Sequence, residues 1–290
     1  MRPCSGNHPK PNDKCQFNIK ERTLDSINNY TQTDLDAPVN IEFVNGTAVV
    51  YTHRSPDKTT VNEDSAALIP YGDNAGVLVI ADGLGGQPGG ETASKAAINS
   101  IASTVGTAAK SNLSLRDAVL DGIEKANRHI LNQSSGAGTT LAVVEIQDNH
   151  IRPYHVGDSM IMLSGQRGKI KLQSIAHSPV GYAVESGLLD ENEAIHHEER
   201  HLISNVVGSD EMSIEIGTRR KLALRDTLIV ASDGLFDNLY LNEIIETIRS
   251  GGLAQAATAL IELSHERMNN KEGDLPCHPD DLTFILFRRS

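Results

Sequence analysis

Cysteine is scarce in this chain: three in 290 residues, with Cys4 and Cys15 both in a polar opening stretch. No disulfide framework can be built from them, which favours a reducing compartment and leaves Cys277 an inert side chain. No apolar run approaches the roughly 18 to 20 residues that a membrane span requires. The opening "MRPCSGNHPKPNDKCQF" has no apolar core of the kind a signal peptide needs. A cytoplasmic protein with no membrane partner is expected. Basic charge is also short, with 26 Lys plus Arg against 38 Asp plus Glu and a net charge of -12. Such a surface repels phosphate backbones, which excludes nucleic acid as an expected partner. There is no internal repeat, no G-x-S-x-G elbow and no G-K-[ST] phosphate loop. A dinucleotide loop counted from Gly83 and Gly85 would need a third glycine at 88, where Pro88 stands.

What is present divides the chain into a leader and one domain. Residues 1–38 are rich in Asn, Asp, Lys, Pro and Thr without sustained periodicity, so a disordered polar leader is expected there, with a folded domain over 39–290. Short apolar runs around Asn45-Gly46 predict a hairpin, and Val77–Ala81 predicts a strand. Ala93, Ala97, Ile101 and Val105 fall four apart on one helical face. Ser114 and Asp117 suit a capping box ahead of a second helix whose stripe is Val119, Ile123, Ala126 and Ile130. "TTLAVVEI", "IRPYHVGDSMIML" and "KIKLQSI" then read as antiparallel strands joined by polar or glycine-bearing turns. "DTLIVASDG", a helical pair within 241–268 and a terminal strand "DLTFILF" follow. Strands grouped with strands and helices with helices predict an α+β protein, sheets covered by helical layers.

The aspartates occupy a recurrent position. Asp82 follows "VLVIA", Asp158 lies between "PYHVG" and "SMIML", Asp233 follows "TLIVAS", and Asp280 with Asp281 precedes "LTFILF". A single Asp-Gly pair is most simply a turn former. Four of them at strand ends converging on one rim would concentrate negative charge at a cost of several kcal/mol unless cations neutralise it. Oxygen-only ligation suits Mg²⁺ or Mn²⁺, and Asp82-Gly83 lets one turn present a carboxylate beside an unshielded carbonyl.

"NEDS" (62–65), "ADGLGGQPGGETAS" (81–94), "GAGTTLAVVEI" (136–146), "HVGDSMIML" (155–163), "AHSPVGYAVESGLLDENEA" (176–194), "VVGSDE" (206–211), "ASDGLFDNL" (231–239) and "DDLTFIL" (280–286) resemble, in order, the motif series of the metal-dependent serine/threonine protein phosphatases of type 2C. The resemblance covers roughly residues 45 to 288. It implies a four-layer α-β-β-α sandwich of two antiparallel sheets and hydrolysis of phosphoserine and phosphothreonine in proteins by a metal-activated water. It also implies two Mn²⁺ or Mg²⁺ ions at the sheet rim. By the same resemblance Asp82 bridges both ions. The Gly83 carbonyl and a water held by Asp64 serve one, Asp233 and Asp280 serve the other, and Asp158 helps to hold a third, weaker ion. A flap over about 174–216 carries substrate preference. The expected working unit is a monomer acting on phosphoproteins, and the alternative is a phosphatase-fold binding module without catalysis. Retention of Asp64, Asp82, Asp233 and Asp280 argues against that alternative.

Several positions depart from the family pattern. Leu84 stands where many eukaryotic members carry a histidine. Thr59 stands where a phosphate-binding arginine is usual, which leaves Arg54 and Lys58 as the nearest cations and Arg54 as the expected phosphate contact. Met160 and Ala176 replace a common arginine and a common acid. "HEERH" (197–201) satisfies the metalloprotease pattern H-E-x-x-H, but its neighbours are nearly all polar or charged, so a solvated flap segment is expected. His177 is expected to be a surface or turn histidine.

Overall fold

The computed structural model describes residues 27–85, 89–111, 113–133, 136–270 and 274–290. Ordered structure is present ahead of the expected boundary at 39. Asn28–Thr31 forms an edge strand, β1, which buries Asn28 and Tyr30 while Asn29 faces out. Alternation over four residues with one aromatic was too short to stand out from the polar composition around it. The remainder of the expected leader, with Cys4 and Cys15, lies outside the described residues.

The predicted hairpin is β2 (Val39–Phe43) and β3 (Gly46–His53), closed by Val44 at φ 48° and Asn45. Gly46 serves the sheet rather than the turn, since a Cβ there would lie 2.4 Å from the Arg288 carbonyl oxygen. β4 (Asp64–Pro70) and β5 (Ala75–Asp82) pair antiparallel. Their side chains alternate between two covered faces, which is why both read as continuous apolar runs. α1 (Gly90–Ser111) and α2 (Leu115–Asn132) follow, and the Ser114 hydroxyl caps α2 by accepting the Asp117 amide at 3.4 Å. β6 (Leu141–Gln147) and β7 (His150–Val156) are joined by Asp148 and Asn149, at φ 51° and 62°, the backbone of a type I′ turn.

"IRPYHVGDSMIML" is two strands, not one. Gly157, at φ 103° and with a prospective Cβ 2.7 Å from Thr140 Cβ, breaks the run, and the chain passes to the other sheet as β8 (Met160–Ser164). β9 (Ile170–Gln173) pairs with β8. The expected flap contains only short elements: α3 (Pro179–Glu185), α4 (Glu191–Ala194) and the strand pair-residues β10 (Glu215–Ile216). β11 (Arg220–Lys221), β12 (Thr227–Ala231), α5 (Asp233–Phe236), α6 (Leu241–Ile248), α7 (Leu253–Asn269) and β13 (Leu282–Arg289) complete the chain.

One sheet runs β1-β4-β5-β6-β7-β10, with β11 also on β7; the other runs β2-β3-β13-β12-β8-β9. Leu68, Leu78 and Ile80 of the first sheet meet Val50, Ile161, Val230 and Ile285 of the second in the sandwich interior. Ala67, Val77 and Val79, on the opposite face, pack under α1 and α2. Val49, Ile229, Phe284 and Leu286 pack under α5, α6 and α7. The layers are therefore α-β-β-α, as expected. Among the described residues, no helix is long and apolar enough to cross a membrane.

Candidate active site

Strand register brings the aspartates together. Asp64 opens β4 and Asp82 closes β5, and the two are paired directly across the ladder, so their side chains share one end and one face of the sheet. In the other sheet, Ala231 at the end of β12 lies opposite Met160 at the start of β8 and Phe284 near the start of β13. Asp158, Asp233 and Asp280 sit just beyond those three ends. Both rims meet at one cleft.

Each carboxyl is held above the ordinary 3.8. Burial is the first cause for Asp64 and Asp82, both pushed well up. For Asp82 the repulsion of Asp64, Asp233, Asp280 and Asp158 follows, so the other four carboxylates all act on this one. Burial, then Asp158, raises Asp233 to about 6, against the pull of Arg200. Asp158 is likewise raised to about 6 by burial, and Asp280, open to solvent on one side, to about 7 by burial and Asp233. Asp64 Oδ2 accepts a hydrogen bond from Ser232 Oγ at 2.8 Å, but Asp64 Oδ1 and Asp158 Oδ1 are buried without any partner. Buried acceptors rarely go unpaired. Two orphaned carboxylate oxygens among five converging carboxylates, with no sulfur or nitrogen donor, fit a hard divalent cation.

The Asp82-Gly83 turn is locked from behind. The Asp82 carbonyl accepts Thr139 Oγ1 at 2.7 Å and the Thr140 amide at 2.8 Å, while its own amide donates to Thr140 Oγ1 at 3.1 Å. Gly83 faces Gly90 so closely that a Cβ would lie 2.3 Å from the Gly90 carbonyl oxygen. Leu84 packs over Gly138, where a Cβ would come within 2.8 Å of Leu84 Cδ1. Its side chain brings no proton donor to the rim.

Of the two cations nearest the expected phosphate position, Lys58 is the one whose charge acts on Asp280. Lys58 Nζ binds Asp281 at 2.7 Å and Glu63 at 2.5 Å. Burial alone would lower its pKa, but hydrogen bonds to those two carboxylates raise it on balance. Arg54 instead pairs with Asp34 at 3.4 Å, with its side chain 43% exposed. Asp281 is a latch: Oδ1 takes the Ser55 amide at 2.8 Å and Oδ2 the Glu63 amide at 2.7 Å.

The "HEERH" stretch is not helical, and both His197 and His201 are exposed. Its informative residue is Arg200, whose guanidinium is paired with Asp237, Nε to Oδ2 at 2.6 Å, and reaches the fields of Asp158 and Asp233. Charge composition alone gave no hint that one residue of this polar run turns inward.

His177 is buried, contrary to expectation, because it ties the flap to the Asp158 turn. Its Nδ1 accepts the Gly157 amide at 3.1 Å and Asn205 Nδ2 at 2.9 Å, and its carbonyl accepts from Ser204. Two donors at Nδ1 place the proton on Nε2, which lies 3.0 Å from Glu215 Oε2. One nitrogen each of His155 and His177 and an oxygen of Glu215 lie within 4.8 Å of one another. With both His177 nitrogens engaged, this group is a hydrogen-bond network. His155 stands beside it through ring contact alone, 4.6 Å between centroids, with its Nε2 donating to the Ser159 carbonyl at 2.6 Å.

Comparison with known proteins adds independent findings. A family model described as protein phosphatase 2C matches residues 52–272. The protein phosphatase PhpP of Streptococcus pneumoniae is 31% identical over 239 residues, spanning 79% of this chain and 92% of that protein. The serine/threonine phosphatase of S. agalactiae superposes with a TM-score of 0.70 at 27% identity, covering 84% of this chain and 99% of that one. The catalytic domain of the phosphatase PstP, solved in complex with two manganese ions, superposes with a TM-score of 0.63 at 26% identity, covering 83% and 96%.

Proposed function

The chain belongs to the protein phosphatase 2C family and is a metal-dependent serine/threonine protein phosphatase, and from that premise we propose that its catalytic centre is the cluster of Asp64, Asp82, Asp158, Asp233 and Asp280. The observation that carries this reading is the pair of buried, unpartnered oxygens, Asp64 Oδ1 and Asp158 Oδ1. Asp82, Asp233 and Asp280 would hold two Mn²⁺ or Mg²⁺ ions, to which Gly83 would offer its carbonyl and Asp64 a hydrogen-bonded water, and Asp158 would serve a third, weaker position. The two manganese ions of the related PstP structure support the number. When bound, such cations neutralise phosphoryl charge and lower the pKa of water.

The protein's own contribution is placement. The Thr139 and Thr140 bonds fix the Asp82 carbonyl, and Ser232 orients Asp64 by occupying one oxygen so that the other faces the cleft. Arg200, tied to Asp237, moderates the negative field at Asp158 and Asp233. Lys58 does the same for Asp280 from the other flank. The substrate is a phosphoprotein, and the scarcity of cysteine supports a cytoplasmic setting.

Hydrolysis of an aryl phosphate, measured with Mn²⁺ and with chelator, tests the centre. Wild type is expected to turn over only with metal, and Asp82→Asn to lose both turnover and cation-dependent thermal stabilisation. Full activity in Asp82→Asn would refute the assignment.

A further inference from the structure

A cavity of about 360 Å³ opens between the flap and α5–α6, with Asp158 and Asp233 at one end. It is within the size range of ligand-binding clefts. Met160, Val184, Phe236 and Leu241 give it apolar walls, and Glu185 and Glu191 stand on its lining from the flap side. Arg200 also lines it, but its guanidinium is already committed to Asp237 and leaves no free cation for an incoming acid. A carboxylate entering here would lose water, meet like charge and find no free cation, which is costly. An apolar side chain would lose only its contact with water, which is favourable.

The outer surface of the flap points the same way. Four of the nine large apolar residues exposed among the described residues are Tyr182, Leu188, Leu202 and Ile216, within or at the edge of this one segment. Leu188 is 84% exposed. Apolar surface concentrated on a chain of net charge -12 marks a place where something binds.

We infer that the cavity is a subsite that takes an apolar side chain of the phosphoprotein substrate in preference to an acidic one, close in sequence to the phosphorylated residue. This rests on the catalytic centre lying at the carboxylate cluster, which places the phosphoryl group at the Asp158–Asp233 end.

The test uses the full chain with Mn²⁺ and two sets of phosphopeptides that differ only by Leu or Asp at each position flanking the phosphoserine. An aryl phosphate, which has no flanking residue, is assayed in parallel. At one or more flanking positions, the Leu peptide should exceed the Asp peptide in kcat/KM by about tenfold or more. Val184→Trp, which fills the cavity, should bring that ratio close to one and leave aryl phosphate hydrolysis unchanged. Leu241→Lys, which places a cation in the wall, should shift the ratio towards Asp. Equal kcat/KM for Leu and Asp at every position, alongside normal aryl phosphate turnover, would overturn the subsite alone. A ratio that neither variant moves would do the same. Absence of aryl phosphate turnover in wild type would overturn the catalytic centre and the subsite with it.

Discussion

Lowering the pH from 8 to 5 will weaken this fold by about 2 kcal/mol through one imidazole, that of His155. Burial, and secondarily His177, holds its pKa down at about 3 against an ordinary 6.5. Its Nε2 proton is spent on the Ser159 carbonyl, and its Nδ1 has no acceptor to receive a second proton's hydrogen bond. The depressed value fixes the sign. Above 6.5 both folded and unfolded rings are neutral, so the stability is fully present; as pH falls from 6.5 towards 3, only the unfolded chain gains the proton. At pH 5 the unfolded ring lies about 1.5 units past its midpoint, and each unit is worth about 1.4 kcal/mol. Asp158, Asp233 and Asp280 act in the opposite direction in metal-free protein. Their folded pKa values of about 6, 6 and 7 exceed the ordinary 3.8, so acidification relieves them. The comparison must therefore be wild type against His155→Gln, both in chelator, by thermal unfolding at pH 8 and pH 5. The substitution cancels the imidazole and leaves the carboxylates. Wild type should lose about 4 to 8 °C more than the variant over this interval, taking about 2 to 4 °C per kcal/mol. Parallel pH dependence in the two proteins would refute the reasoning.

Gly83→Ala should lower kcat/KM by on the order of 10²-fold, because its methyl meets the Gly90 backbone at 2.3 Å and must shift the Asp82 turn; steady-state kinetics at saturating Mn²⁺ within about threefold of wild type would contradict this. Lys58→Met should cost about 3 kcal/mol in denaturant unfolding by leaving the buried Asp281 carboxylate with its two amide donors but no counter-charge, whereas Arg54→Met should stay within about 0.5 kcal/mol. His197→Ala with His201→Ala should keep Mn²⁺-supported activity within about tenfold, a barrier change of about 1.4 kcal/mol. Complete loss accompanied by stoichiometric zinc in the wild type would reinstate a zinc reading of that stretch.

Much of the site was legible because its aspartates sit at the ends of apolar strands, and strand ends are visible as the place where an apolar run stops. Which ends would share a rim was not. That depended on the passage between sheets at Gly157, and a glycine inside "IRPYHVGDSMIML" is compatible with a bulge, a bend or a break. Helix stripes and the Ser114 cap were readable because 3.6-residue periodicity is local. β1 escaped because a four-residue edge strand carries too little pattern to overcome a polar neighbourhood. Arg200, His177 and Lys58 were misjudged or passed over for a different reason: burial of a polar side chain depends on partners such as Asp237, Asn205 and Asp281, which are distant in sequence.

The position of β13 has a consequence for the newly made chain. It is the last strand of the described residues, yet it lies between β3 and β12 in the middle of its sheet, and the turn leading into it carries Asp280. A chain interrupted after α5 but before Asp280 would already possess Asp64, Asp82, Asp158 and Asp233, but its second sheet would be split into two unconnected pieces. Such nascent or broken products would lack both Asp280 and the strand that joins the two halves of the second sheet, so activity is expected only of chains that extend through β13.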